Sequence, residues 1–277
     1  MTCRKNDGIS GVVVWEGGDE EVALNPKLMY RLYSTTKKDA YIMGEPTTAR
    51  INVKKGWNRI GYISPINLPV ATALGDYTDD GTDGDIIKSQ SEFAVLSIDA
   101  QGNHTWKGTL KYMRAGEGYM LRRMGDGDVA FDYPTYDSQS RYTSGVSAAR
   151  PLYQNVTGSS MNMVAVIEGI DLMPGDRLIA YTGAESCGIT EQDEDGRFFV
   201  TVGQGDDSVI RFAIEREGTI IATAPKTVPY EANAVMGTLK APAVINFMPL
   251  ENVDGEGWYT LQGIKLQKRP TRSGVYV

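Results

Sequence analysis

Apolar and polar residues alternate with a period of two along much of this chain, and this pattern predicts β-strands. Apolar residues stand at every second position in residues 51–53, 161–167 and 210–214. Successive side chains of a strand point to opposite faces, so these segments are predicted to be half-buried strands. A further strand is predicted over Phe93–Ile98, and residues 106–112 are predicted as one strand because Trp106, Leu110 and Tyr112 share one parity.

Turn residues separate the predicted strands, and helix is scarce. Many of the 31 glycines stand between apolar runs, where tight turns need a positive φ. The best helical segment is Leu68–Leu74, with Asn67 as its predicted cap and Gly75 just past its end. At about two turns, this helix depends on packing for its stability.

These signals predict an all-β protein with two tandem β-sandwich or barrel-like domains and a C-terminal β-hairpin tail. The first domain is predicted over residues 1–135 and the second over residues 161–250. Residues 136–160 are rich in Ser, Thr and Gly and show little periodicity, which is typical of a linker. Residues 251–277 are predicted as the tail, with two short strands around a basic turn.

Composition narrows the classes of partner. The formal net charge of -7 disfavours binding to a phosphate backbone, so no nucleic-acid partner is expected. No apolar run approaches the ~20 residues of a membrane span, and no transmembrane segment is predicted. The first residues lack a signal-peptide core, so the chain is expected either to be cytoplasmic or to be a fragment without its leader. Cys3 and Cys187 are predicted to be free thiols.

Two acidic segments raise the question of calcium binding. The first holds Asp76, Asp79, Asp80, Asp83 and Asp85. Carboxylates at this density can hold Ca²⁺, although the register differs from that of an EF-hand; the alternative is a solvated acidic turn. The second segment holds Glu191, Asp193, Glu194 and Asp195 and is predicted as a hairpin tip, with metal binding as the alternative.

Aromatic residues suggest glycan binding, whereas the pattern for catalysis is weak. Trp15, Trp258 and Tyr259 are the candidates for an exposed sugar-stacking surface, while Trp57 and Trp106 are predicted to lie in the core. The single histidine, His104, excludes a zinc site with two or three histidines from this chain, and no nucleophile elbow is present. We therefore predict no enzymatic activity; a glycosidase with a carboxylate pair remains an alternative.

The landmarks of the first domain resemble a recurring module of large surface and secreted proteins of Bacteroidetes. That module runs GWN-x-IGY, a short helix, GD-x-IKSQ, W-x-G-x-L and G-x-GYML. The matching segments are Gly56–Tyr62, Gly84–Ala94, Trp106–Leu110 and Gly116–Leu121. Ala115 stands where the family often has Pro.

Two further segments resemble parts of the same group of proteins. Residues 179–188 match in part an IGAF-x-GDECRG-like turn of a partner module, without the Arg between Cys and Gly. Residues 259–277 are similar to C-terminal sorting tails of the type IX export route, although the usual basic final strand is absent.

The resemblance implies extracellular β-modules that belong to something larger. It favours a fragment at the outer cell surface or outside the cell over a cytoplasmic protein. The expected function is a non-catalytic accessory region that presents, spaces or binds a protein or a glycan at the cell envelope. A carbohydrate-binding module is the main alternative, and calcium is the only cofactor suggested.

Overall fold

The structure, a computed structural model, describes residues 2–5, 13–14, 25–33, 48–134, 159–250, 258–259 and 265–266. The chain divides into two compact units. The first comprises Met1–Ser89 with Phe93–Ala149, and the second comprises Gln90–Glu92 with Arg150–Val277. The division at Ala149 falls inside the predicted linker, most of which lies outside the described residues, so the domain limits stay a prediction.

Short antiparallel strands and two small helices form the first unit. Its strands are β1 (Thr2–Lys5), β2 (Val13–Val14), β3 (Tyr30–Tyr33), β4 (Ile51–Val53), β5 (Gly56–Gly61), β6 (Leu68–Pro69), β7 (Ile86–Lys88), β8 (Phe93–Ile98), β9 (His104–Gly108), β10 (Tyr112–Met113), β11 (Gly118–Arg123) and β12 (Val129–Phe131). The helices are α1 (Val70–Leu74) and α2 (Asp76–Asp80).

A five-stranded antiparallel sheet is the centre of this unit, with strand order β5-β11-β7-β8-β9. One face of the sheet carries the alternating apolar residues Ile60, Tyr119 and Leu121, which are buried in the core. Strands β4 and β12 pair with each other, as do β6 and β10, and β1 lies between β2 and β3. Gly84 has φ +88° in the turn before β7, a conformation that favours glycine.

Aromatic side chains fill much of the first core. The rings of Tyr62 and Tyr133 meet edge to face with centroids 5.3 Å apart, and Phe131 meets Tyr133 in the same way at 5.2 Å. Edge-to-face pairs place a positive ring edge on a negative ring face, which adds to the stabilisation from burial. The apolar residues of α1, including Leu74, pack against the same cluster.

The helices differ from their prediction. The Leu68–Leu74 segment is helical only from Val70, because Leu68 and Pro69 form β6. The predicted cap is wrong: Asn67 Oδ1 accepts a hydrogen bond from the Ala115 backbone at 3.0 Å and makes no capping bond. Helix α2 was not predicted. The predicted 106–112 strand is also interrupted, since β9 ends at Gly108.

The second unit contains two facing sheets. Its strands are β13 (Ser160–Glu168), β14 (Arg177–Tyr181), β15 (Ser186–Glu191), β16 (Phe198–Gly203), β17 (Val209–Arg216), β18 (Thr219–Thr223), β19 (Val228–Pro229), β20 (Val235–Met236), β21 (Ala243–Asn246) and β22 (Met248–Pro249). In one sheet, β13 lies between β16 on one side and β20 with β21 on the other. The other sheet has the order β15-β14-β17-β18-β22, and β19 also pairs with β17.

In the second unit, alternate apolar residues face the core as predicted, but β13 is not half-buried, because Asn162 and Val164 on its other face are buried as well. Met163 on β13 and Ile210, Phe212 and Ile214 on β17 are buried in one shared core. Residues of both sheets meet in this core, so the sheets pack face to face. The all-β prediction is confirmed, and Cys187 is a free, buried thiol.

The last described residues form two strands, β23 (Trp258–Tyr259) and β24 (Lys265–Leu266), which pair antiparallel. The remainder of residues 251–277 lies outside the described part, so the hairpin tail stays a prediction. No helix among the described residues has both the length and the apolar character needed to cross a membrane.

Candidate functional site

The five aspartates of the first acidic segment take up different structural positions. Asp76, Asp79 and Asp80 belong to α2, while Asp83 and Asp85 lie in and after the turn that leads to β7. Asp83 Oδ1 accepts a hydrogen bond from the Ile98 backbone at 3.0 Å. The segment predicted as one acidic loop is therefore a short helix followed by a turn.

Asp85 is fully buried and organises this turn. Its Oδ2 accepts hydrogen bonds from the Tyr77 hydroxyl at 2.8 Å and from the Thr82 backbone at 2.9 Å. Its Oδ1 accepts from the Met124 backbone at 2.7 Å. The Arg123 guanidinium lies 3.9 Å away and balances the charge. Burial, and then the neighbouring Asp85 carboxylate, raise the pKa of Tyr77, so its hydroxyl stays a donor.

The described aspartates of the first acidic segment are not grouped as a set of calcium ligands. Both Asp85 oxygens already accept bonds from the protein. Among the described residues, no group of three or more His, Cys, Asp or Glu side chains is placed to hold a metal ion. Calcium binding by Asp76, Asp79, Asp80, Asp83 and Asp85 stays a prediction.

The second acidic segment lies in the connection between β15 and β16. Asp193 Oδ1 accepts hydrogen bonds from the backbones of Asp195 and Arg197, at 3.0 and 2.7 Å. The Asp195 carboxylate forms an ion pair with Arg197 at 2.8 Å. The carboxylates of Asp193 and Asp195 therefore bind groups within this connection and stabilise its tight turn.

The predicted glycan surface falls largely outside the described side chains. Trp15 is not among the described residues, and for Trp258 and Tyr259 only the backbone of β23 is described. Their role in sugar binding stays a prediction. Of the two tryptophans predicted as core, Trp106 packs against the first core and donates to Thr78 Oγ1 at 3.1 Å.

Trp57 is not a core residue, and it identifies a different surface. It pairs directly with Arg122 across β5 and β11, on the sheet face opposite to Ile60. Its ring centroid lies 5.8 Å from Arg122 Cζ and 5.2 Å from Lys88 Nζ, at cation–π distances. Trp57 is half-buried, and so is Arg122.

Arg59 completes what we term the arginine–tryptophan patch, formed by Trp57, Arg59 and Arg122. Arg59 lies two residues from Trp57 on β5, so its side chain leaves the same face of the sheet. Strands β5, β7 and β11 place no acidic residue on that face. The patch is therefore locally cationic in a chain of net charge -7.

The two arginines of the patch differ from the other arginines of the protein. Every other arginine side chain that the structure describes forms an ion pair with a carboxylate: Arg50, Arg114, Arg123, Arg177, Arg197, Arg211 and Arg216. Arg59 and Arg122 have no carboxylate partner among the described residues. Both residues are half-buried, so each is partly open to solvent, and a guanidinium carries five N–H donors.

His104 has a structural contact. Its Nδ1 lies 2.6 Å from the Thr78 carbonyl oxygen, an acceptor, so Nδ1 carries the proton in this hydrogen bond. Trp106, two residues along β9, bonds the Thr78 hydroxyl. Together they fasten α2 to the edge of the sheet.

The arginine–tryptophan patch is not predictable from the hydrophobic pattern. The alternation of Trp57 and Arg59 around Asn58 is visible in the sequence. The partnership with Arg122 depends on the register of two strands more than 60 residues apart, which hydrophobic pattern alone does not provide.

Comparisons of the chain with known proteins do not identify a family. No family model matches the chain, and no match was found among curated proteins or among solved structures. The resemblance to Bacteroidetes surface modules therefore stays a prediction.

Proposed function

We propose that this chain is a non-catalytic accessory region of a cell-surface or secreted protein and that it binds an anionic partner at the cell envelope. The observation that carries the proposal is the arginine–tryptophan patch. Its arginines are the described ones without a carboxylate partner.

The chemistry of the patch favours carboxylate or sulfate groups. A guanidinium presents a planar fork of donors that matches a carboxylate or sulfate with two parallel hydrogen bonds. Arg122 lies beside the Trp57 ring at a cation–π distance. An oriented cation loses less conformational freedom on binding than a mobile one.

The scaffold supports recognition because paired strands carry the patch: Arg122 lies on β11 inside the sheet, and Trp57 and Arg59 lie on its edge strand β5. β11 pairs with β5 over six residues and with β7 on its other side. Residues held by a sheet are positioned more accurately than residues on a loop. The patch therefore keeps its geometry in the absence of a ligand.

A binding screen tests this proposal. The wild-type chain is applied to an array of neutral, carboxylated and sulfated glycans together with a poly-glutamate peptide. We expect binding to anionic probes and at least about tenfold weaker binding by the Arg59→Ala/Arg122→Ala variant, since each charge-assisted bond contributes about 1.5–3 kcal/mol.

Two control variants distinguish the loss of the patch arginines from the loss of positive charge elsewhere on the protein. Arg197→Ala and Arg211→Ala remove the same positive charge from arginines that are already paired with Asp195 and Asp207. Both should bind as the wild type does. Equal losses in the patch variant and the controls, or no binding to any anionic probe, would contradict the proposal.

A second candidate function, carbohydrate binding, is favoured by Trp57 beside the arginines. An aromatic ring can pack on the apolar face of a sugar while a guanidinium holds an acidic substituent. Binding to acidic glycans but not to poly-glutamate, with loss on Trp57→Ala, would support it. Trp258→Ala on the same array tests the surface predicted from sequence.

A further inference from the structure

Strand β5 is an edge strand of the five-stranded sheet. It pairs with β11 along one side, and among the strands that the structure describes none pairs with it on the opposite side. An edge strand presents backbone N–H and C=O groups that a further strand can bond. Two residues of the arginine–tryptophan patch, Trp57 and Arg59, belong to this edge strand.

One hydrogen bond shows which amides of β5 point away from β11. The Gly61 N–H donates to the Lys27 carbonyl at 3.1 Å, and Lys27 lies outside the five-stranded sheet. Along an antiparallel strand, residues that bond the partner strand alternate with residues whose backbone groups face the other way. Trp57 and Arg59 share the parity of Gly61, so their N–H and C=O groups also point away from β11.

The outward backbone groups of Trp57 and Arg59 form no hydrogen bond within the part of the chain that the structure describes. The segment of residues 26–28 meets this edge at Gly61, where a Cβ atom would overlap the carbonyl oxygens of Pro26 and Leu28. The edge is thus occupied beside Gly61. We term residues 57–59, whose outward groups are available for bonding, the open edge.

The side chains of the open edge determine which strand would suit it. A strand added beside β5 places every second side chain on the face that carries Trp57 and Arg59, about 5 Å from its direct neighbour. Neither Arg59 nor Arg122 has a carboxylate partner among the described residues, and β5, β7 and β11 place no acidic residue on this face. Carboxylates at every second position of the added strand would complement this charge.

We propose that the open edge binds an acidic peptide, which adds to the sheet as a further strand with its alternate carboxylates facing Arg59 and Arg122. This assignment rests on the proposed function, because it names the anionic partner of the same patch. In strand addition, main-chain hydrogen bonds give affinity and alternate side chains give specificity. Because the open edge is short, the charge-assisted bonds, about twice as strong as neutral ones, contribute much of the affinity.

Peptides with one blocked set of amides test the proposal. The probe is an acetylated and amidated heptapeptide in which Thr and Glu alternate, applied to the full chain. In an added strand every second amide of the peptide faces β5, whichever way the peptide runs. N-methylation of the Glu amides or of the Thr amides blocks one set at unchanged charge. One methylated peptide should bind at least about tenfold more weakly than the unmodified peptide, and the other should bind equally well.

Hydrogen exchange identifies the protein amides that the peptide bonds. Saturating heptapeptide should slow exchange of the Trp57 and Arg59 amides at least about tenfold. The Asn58 and Ile60 amides face β11 and should not change. A sulfated polysaccharide is the control, because it offers negative charge without a peptide backbone. It should bind the patch and leave the exchange of all four amides unchanged.

Two substitutions at Arg59 separate the side chain from the backbone. Arg59→Ala and Arg59→Pro both remove the guanidinium, but proline also removes the outward N–H and spares the bonds to β11. Arg59→Pro should bind the heptapeptide at least about threefold more weakly than Arg59→Ala, while the two should bind the polysaccharide equally. If the proline variant does not fold, the methylated peptides on the wild type decide the question.

Failure of strand addition can be distinguished from failure of the proposed function. Equal binding of both methylated peptides, or unchanged exchange at Trp57 and Arg59 with saturating heptapeptide, would overturn strand addition and leave anion binding by the patch intact. Binding of the polysaccharide without binding of the heptapeptide would do the same. If neither probe binds, the proposed function and strand addition are both wrong.

Discussion

Asp85 connects three segments of the first unit through one buried carboxylate. Its oxygens accept bonds from Tyr77 in α2, from Thr82 and from Met124 after β11. We predict that Asp85→Asn lowers the free energy of unfolding by about 3–5 kcal/mol, because Arg123 then lies buried beside a neutral group. Urea unfolding measures this loss.

An exposed aspartate provides the control for Asp85. Asp126 forms an ion pair with Lys55 at 2.7 Å, but its side chain is 91% exposed. Asp126→Asn should leave the urea midpoint unchanged. If the two variants unfold at the same midpoint, the Asp85 network is not a source of stability.

Two buried tyrosines have hydroxyls in opposite situations. The buried Tyr133 hydroxyl has no hydrogen-bond partner in the part of the chain that the structure describes, whereas the Tyr119 hydroxyl donates to Glu117 and accepts from the Arg114 backbone. Burial raises the pKa of both, so both stay neutral.

The contrast predicts opposite effects of the same substitution. Tyr133→Phe removes an unsatisfied polar group and should be neutral or stabilise by about 1 kcal/mol. Tyr119→Phe breaks two bonds and should destabilise by about 1–2 kcal/mol. Thermal unfolding of the two variants checks this, and a destabilising Tyr133→Phe would be evidence for a hidden partner.

At the scale of elements, Asp176 fastens the loop before β14 to β17. Its carboxylate accepts two hydrogen bonds from Arg216, at 2.7 and 2.8 Å, and one from the Met173 backbone. The hydrogen bonds from Arg216 lower the pKa of Asp176 below its ordinary value of 3.8. Folding therefore favours the charged form of the Asp176 carboxyl over its protonated form.

This interaction predicts a defined pH dependence. A carboxyl with a lowered pKa in the folded state contributes stability above its unfolded pKa, and the contribution is lost as the pH falls through the folded pKa. Wild type should exceed Asp176→Asn in melting temperature above about pH 5, and the gap should narrow below about pH 4. A gap that is constant over this range would rule out the Asp176 charge as its source.

The sequence predicts an element well where its apolar residues, as a run or at alternate positions, lie within one strand. Residues Phe93–Ile98 form β8 with the predicted limits, and Ile210, Phe212 and Ile214 on β17 face the core. It failed where distant contacts decide. Leu68 and Pro69 form β6 because they pair with Met113 and Tyr112 of β10, and Asn67 bonds Ala115 instead of capping α1.

Helix α2 shows that local sequence alone does not determine the secondary structure of a short segment. Its sequence, Asp-Tyr-Thr-Asp-Asp, has low helix propensity and was predicted as a solvated turn. Burial of Tyr77 in the core and of Thr78 against Ala71 stabilises the helical turn. Tertiary packing overrides local preference here.

At the scale of the whole molecule, each unit has its own core, in line with the prediction of an all-β chain. The candidate site was not predicted. The sequence predicts Trp57 as a core residue because it opens a strand beside a glycine, and only the register of β5 and β11 places it beside Arg122. The predicted envelope location, the calcium loop and the glycosidase alternative stay predictions.

Binding of anionic groups by the arginine–tryptophan patch is the property on which the proposed function depends. The most direct measurement is a titration of the chain against an immobilised carboxylated or sulfated polysaccharide at two ionic strengths. We predict that the affinity falls as the salt concentration rises. The Arg59→Ala/Arg122→Ala variant should bind at least about tenfold more weakly than the wild type, and Arg197→Ala should bind as the wild type does. Binding that is equal in wild type and the double variant, or absent from both, would contradict the account.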